Sequence, residues 1–150
     1  SLGLCFYELL TGAFPFKLTP AGLSACGGDF GKKVAEAHEQ GCHSASYFRS
    51  SIPPEVEATL HVMMSLDATI RFPDGGSTED ALRRCANCHA NHKWKSDGLS
   101  SSNMSEIVEM LESALRLRYV EGRSGVANEL FEKASAFSQR LSGRFNAFID

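Results

Sequence analysis

Residues 1–16, Ser-Leu-Gly-Leu-Cys-Phe-Tyr-Glu-Leu-Leu-Thr-Gly-Ala-Phe-Pro-Phe, constrain the fold more than any other stretch of this chain. They predict a helix that is apolar on nearly every side and is stopped by Gly12 and Pro15. A helix of that kind belongs in the middle of a domain, not on the surface of a small one. Its first residue is therefore expected to lie inside a larger domain, with Leu4, Phe6 and Leu10 exposed where earlier elements would cover them.

The remainder of the chain is ordinary for a globular protein of 150 residues, at 43% hydrophobic and 22% charged. A net charge of −3 gives no electrostatic footprint for nucleic acid or an anionic membrane, so neither is expected as a partner. No apolar run approaches the length that spans a bilayer. Five cysteines, an odd number without the density of a disulfide scaffold, point to a reducing, intracellular and cytoplasmic setting.

Punctuation divides the rest. A loop with Pro20, Gly22, Gly27, Gly28 and Gly31 leads into a short helix, Phe30 to Gln40, with Phe30, Val34 and Ala37 at helical spacing and Gly41 at its C-terminal cap. The next helix starts near Pro53, with Ser50 or Ser51 as its cap and Pro53 and Pro54 in its first turn. Glu55 and Glu57 suit the positive end of its dipole. Val56, Leu60, Met63 and Met64 make one apolar stripe. Asp67 to Arg71 follow, then a turn at Pro73-Asp74-Gly75-Gly76. Ser77 and Asp80 resemble a capping box opening a helix through Ala81, Leu82 and Cys85.

Residues 95–102 read as a linker, and two helices come after it. Asn103 and Glu106 suggest a capping box for the first, with Met104, Ile107, Val108, Leu111 and Leu115 on one face. The second carries Val126, Leu130, Ala134, Phe137, Leu141, Phe145 and Phe148 as a stripe, with Glu129, Glu132, Lys133 and Arg140 on its solvated face. That stripe either folds back on the preceding helix as an antiparallel hairpin or meets a partner through 126–148. No strand alternates convincingly, and the chain reads as all-α.

The phrases Ser1-Leu2-Gly3, Tyr7-Glu8-Leu9-Leu10-Thr11-Gly12 and Pro15-Phe16 resemble the central C-lobe helix of eukaryotic protein kinases, of the Ser/Thr branch. Leu60-His61-Val62-Met63-Met64-Ser65-Leu66-Asp67, Asp67-x-x-x-Arg71 and His92-Lys93-Trp94 resemble later C-lobe phrases in the same order. Ala68 stands where the family usually has Pro, and Pro73–Ser77 read as extra residues. The resemblance implies that 1–94 is the C-terminal part of a kinase catalytic domain, truncated on its N-terminal side, with 103–150 a helical extension.

The resemblance further implies a parent that binds ATP and magnesium and phosphorylates Ser or Thr in protein substrates. This segment would be its scaffold, holding no catalytic, ATP-binding or magnesium-binding residue, because the Gly-rich loop, strand Lys, His-Arg-Asp loop and Asp-Phe-Gly are not in the chain. Gly3, Gly12, Pro15, Asp67 and Arg71 are its structural positions. By resemblance Arg71 pairs with the Glu of an Ala-Pro-Glu motif upstream of Ser1, and loss of such a buried partner costs about 3–5 kcal/mol.

Two other classes compete. One is a pseudokinase-like or helical protein-interaction module without chemistry. The other is a zinc or haem segment at Cys85–His92. Cys85-Ala86-Asn87-Cys88-His89 matches the attachment pattern of c-type haem, with Met104 or another Met as sixth ligand. Zinc would use Cys85, Cys88 and His89 or His92, with Cys42 or His43 completing a tetrahedron. The bland reading of these residues is a helix end with two partly buried cysteines.

Overall fold

In a computed structural model the chain is described over residues 2–16, 29–90 and 100–146. Among these residues the structure is all-α, with seven α-helices, one 3₁₀ turn and no strand. The loop Pro20–Gly28, the His92-Lys93-Trp94 phrase and Phe148 lie outside the described residues. The chain divides into two compact units after Ser50, a boundary that falls inside the stretch 1–94.

The first unit contains α1 (Leu2–Thr11), α2 (Phe30–Glu39) and the single turn α3 (Ala45–Phe48). Helix α1 ends where Gly12 takes a left-handed φ of 69° and returns its N–H to the Glu8 carbonyl at 2.8 Å. Thr11 closes the turn, its hydroxyl donating to the Tyr7 carbonyl at 2.8 Å while accepting from Ala13 N–H at 3.1 Å.

Helix α1 is not buried all round. Gly3 and Tyr7 are its buried residues, and the expected exposure of Leu4, Phe6 and Leu10 is corrected for Leu4 and Leu10, which are half-buried, and for Phe6, which also keeps partial cover. Leu2 and Leu9 face solvent instead, Leu9 at 81% exposure. Tyr7 is fully buried and its hydroxyl donates to the His43 carbonyl at 2.9 Å, tying α1 to a segment 36 residues away. An isolated antiparallel bridge between Phe16 and Cys42 adds a second tie, with His43 N–H on the Pro15 carbonyl at 2.8 Å. Gly41, at φ 92°, ends α2 as expected.

The second unit is built from α4 (Pro54–Met64), the 3₁₀ turn Ala68–Ile70, α5 (Gly75–Ala90), α6 (Ser101–Tyr119) and α7 (Ser124–Asn146). Helices α6 and α7 form an antiparallel hairpin through a turn in which Gly122 takes φ 69°. Helix α4 packs on α6 and, less extensively, on α5. The core joins Ala58 and Val62 of α4, Ala81 of α5, Ile107, Leu111 and Leu115 of α6, and Ala127, Phe131 and Ala134 of α7.

Helix starts differ from the expected ones in a consistent way. Asp74 caps α5, accepting from Ser77 N–H at 2.7 Å, so Gly75 and Gly76 lie in the helix and not in a turn. Ser100 caps α6 through Asn103 N–H at 3.2 Å, which places Ser101 and Ser102 of the expected linker inside the helix. In both cases the cap lies three residues upstream of the expected box. The first turn of α4 is led by Pro53, whose carbonyl accepts from Val56 and Glu57, and neither Ser50 nor Ser51 caps it. The stripe of α7 is rotated as well: Ala127, Phe131, Ala134 and Ser138 are buried, Leu130, Phe137 and Leu141 flank them, and Val126 is exposed.

Leu111 of α6 is fully buried in the core that α4, α5, α6 and α7 share. Leu111→Ala is expected to lower stability by about 2–5 kcal/mol, the cost of removing a buried leucine side chain, as read by urea denaturation of the chain.

Candidate functional site

Helix α4 brings ionisable groups into the interior of its unit. It is buried on nearly every side, and Glu55 and Glu57, expected at the positive end of its dipole, are each 1% exposed. Carboxylates so placed must be compensated by charge or hydrogen bonds. The compensation comes from α5 and α6.

Around Glu55, the Arg84 Nε of α5 lies 3.3 Å from Oε1. The same guanidinium stacks on Phe131 of α7, its Cζ 3.8 Å from the ring centroid, so one arginine joins three helices. Beside it the Thr59 hydroxyl donates to the Glu55 carbonyl at 2.8 Å and lies 3.3 Å from the Cys85 sulfur. The Cys85 thiol donates weakly to the same carbonyl at 3.6 Å. Burial pushes this thiol up to about 12, against a smaller downward pull from the Thr59 hydrogen bond.

Around Glu57, the imidazole of His61 lies between two carboxylates. Its Nδ1–H donates to Glu112 of α6 at 2.6 Å, and its Nε2 is 3.7 Å from Glu57 Oε1 one turn back on α4. Arg116 holds the second oxygen of Glu112 at 3.3 Å. Burial by itself lowers the imidazole's proton affinity, but the Glu112 hydrogen bond and the charges of Glu112 and Glu57 together outweigh it, and the net shift is upward from 6.5. A third cluster joins α5 to the end of α6: Tyr119 donates to Asp80 at 2.6 Å, with Arg118 at 3.6 Å. Asp80 therefore serves Tyr119 and not a capping box. Burial first, then the Asp80 hydrogen bond, raises the Tyr119 phenol to about 12.

Chemically these clusters hold protons and charges in place. The two carboxylates meet opposite ring nitrogens of His61, so the imidazole bridges them and does not converge with them on a common ion. Among the described residues no group of three or more His, Cys, Asp and Glu side chains is arranged to hold a metal.

The residues singled out in the sequence lie on different elements. Gly3 and Pro15 are buried in the first unit, and Gly12 is the left-handed residue after α1. Asp67 caps the 3₁₀ turn, accepting from the Thr69 N–H at 2.8 Å and its hydroxyl at 2.7 Å, and these two hydrogen bonds hold its carboxyl below the usual range. Arg71 donates from Nε to the Ser65 carbonyl at 2.6 Å and from Nη2 to the Leu66 carbonyl at 3.3 Å. It closes the C-terminal end of α4.

Of the expected metal or haem ligands, Cys85 is buried on Thr59 and Cys88 is half-buried on the same helix. The side chain of His89 and all of His92 lie outside what is described. Cys42 sits at the Phe16 bridge with its thiol raised by burial, and His43 stacks on Tyr47 at 5.9 Å. The clusters on Glu55, Glu57 and His61 escape a reading of the sequence because a Glu in a first turn reads as solvated. The available signal is a helix whose intervening residues, Ala58, Thr59, Leu60, Val62, Met63 and Met64, leave no polar face.

Comparison with protein-family models, with curated proteins and with solved structures gives no match to this chain.

Arg71→Ala removes two hydrogen bonds from a half-buried side chain and is expected to cost about 1 kcal/mol in urea denaturation, below the cost of an orphaned buried ion pair. With a thiol alkylating reagent at mildly alkaline pH, exposed Cys5 is expected to be modified well before Cys85, which reacts once denaturant opens the α4–α5 contact. Peptide mapping by mass spectrometry reads the order.

Proposed function

We propose that residues 1–94 are the helical C-lobe scaffold of a Ser/Thr protein-kinase catalytic domain. Its parent transfers the γ-phosphate of ATP to protein hydroxyls with magnesium, while this segment contributes no catalytic residue. The observation that carries the reading is the phrase from Ser1 to Phe16. Its support is that the motif's small and aromatic positions, Gly3 and Tyr7, are the buried residues of α1, and that Gly12 and Pro15 close the helix. Two of the later phrases fall on α4 and on the Asp67–Arg71 turn that follows it.

The protein substrate of the parent is the implied partner, and the implied setting is the cytoplasm. Among the described residues no helix is long and apolar enough to cross a membrane.

The test is to sequence the transcript on the 5′ side of the Ser1 codon. The expected result is an in-frame Asp-x-Trp directly before Ser1, with Ala-Pro-Glu, Asp-Phe-Gly and His-Arg-Asp further upstream. A parent lacking the catalytic-loop and metal-binding Asp residues would be a pseudokinase. Unrelated coding sequence or a start codon at that place overturns the kinase reading.

A further inference from the structure

We propose that His61 is a proton-operated clasp that holds the α6–α7 hairpin against α4, closed when the imidazole is protonated and loosened when it is neutral. The geometry is that of a cation between two anions. Nδ1 sits at 2.6 Å from Glu112 on α6 and Nε2 at 3.7 Å from Glu57 on α4. A neutral imidazole has one N–H, so it serves Glu112 or Glu57 but not both. A protonated ring presents an N–H on each side and neutralises charge in a place where the Glu57 side chain is 2% exposed and that of Glu112 is 18% exposed.

The surrounding charges favour the charged ring. From α4 the group facing His61 is Glu57, and from α6 they are Glu112 and Arg116. Arg116 opposes the imidazolium, but it lies on the far oxygen of Glu112 at 3.3 Å. The arginine that α5 directs to α4, Arg84, is engaged at Glu55. The clasp spans the contact between α4 and α6, the most extensive link α4 makes within its unit. It stands independently of the kinase reading.

The sign of the effect is fixed by linkage. The proton is held more tightly in the folded chain than at the ordinary value of 6.5, so protonation stabilises the fold. That stabilisation is complete below 6.5 and is lost as pH rises through the raised folded value.

The experiment is a histidine-detected NMR titration of the 150-residue chain, paired with urea unfolding midpoints from about pH 5.5 to about pH 9. The His61→Gln variant identifies the His61 resonance and provides the unfolding control. The expected results are a His61 midpoint above 6.5, an unfolding midpoint that falls across the same pH interval, and loss of that fall in His61→Gln. Glu112→Gln is expected to move the His61 midpoint downward, because burial then outweighs the remaining attraction of Glu57. A His61 midpoint at or below 6.5 in the unmodified chain overturns the proposal, and so does an unchanged pH slope in His61→Gln. If His61→Gln does not fold, the titration of the unmodified chain with Glu112→Gln for assignment decides the matter alone.

Discussion

Two carboxylates carried into the interior by α4 set the terms for the unit that begins after Ser50. Glu55 and Glu57 are almost without solvent, and moving an uncompensated carboxylate out of water costs several kcal/mol. The neighbouring helices therefore deliver partners at defined heights along α4. Arg84 arrives from α5 at Glu55, and His61 shares its ring between Glu57 and Glu112 of α6. Apolar packing around Val62, Leu111 and Leu115 supplies the bulk of the core. The charged contacts add to it, Arg84 3.3 Å from Glu55 and His61 2.6 Å from Glu112.

Arg84 shows how one residue can satisfy several demands. Its Nε lies 3.3 Å from the Glu55 carboxylate and its face lies over the Phe131 ring. Lysine could supply the charge at Glu55 but not the flat face. The same division of labour appears at the end of α6, where Tyr119 gives its hydroxyl to Asp80 and packs its ring edge-to-face with Phe72, at 5.4 Å between centroids.

Periodicity makes the helices legible in the sequence, while their rotation and their starts are not. The roles of α1 and α4 are exchanged: the stretch that reads as apolar on all sides leaves Leu2 and Leu9 in solvent, and the stretch with one stripe is the one buried nearly all round. Composition gives a helix's average polarity, but burial depends on which neighbours arrive, and Glu55 is buried because a cation from elsewhere in the chain reaches it. The caps are misplaced for a local reason. Asp74 and Ser100 each stand three residues ahead of another plausible cap, and the sequence offers no ranking between such candidates. In α7 the small residues Ala127 and Ser138 carry little hydrophobic signal, so a stripe drawn through Val126 and Phe145 misses Phe131. Of the candidate site, the cysteines and Arg71 are visible as motifs, but Arg84 and Glu112 reach Glu55 and His61 from distant parts of the chain and leave no local signature.

The face that α7 turns inward has a consequence for how the sequence can drift. Ala127, Ala134, Ser135 and Ser138 are all buried, three of them at 1% or less, with Phe131 as the large side chain among them. An alanine with no accessible surface has no room to grow. Along this seam evolution is constrained from above: an added methylene or two displaces a helix backbone, at about 1–3 kcal/mol by overpacking. Ala58 of α4, Ala81 of α5 and Ala114 of α6 are equally without accessible surface and share that constraint, whereas Leu111 and Leu115 of α6 are constrained from below, through cavities. One core thus forbids opposite kinds of change at its small and its large positions, and neutral substitutions should accumulate as exchange of like-sized residues.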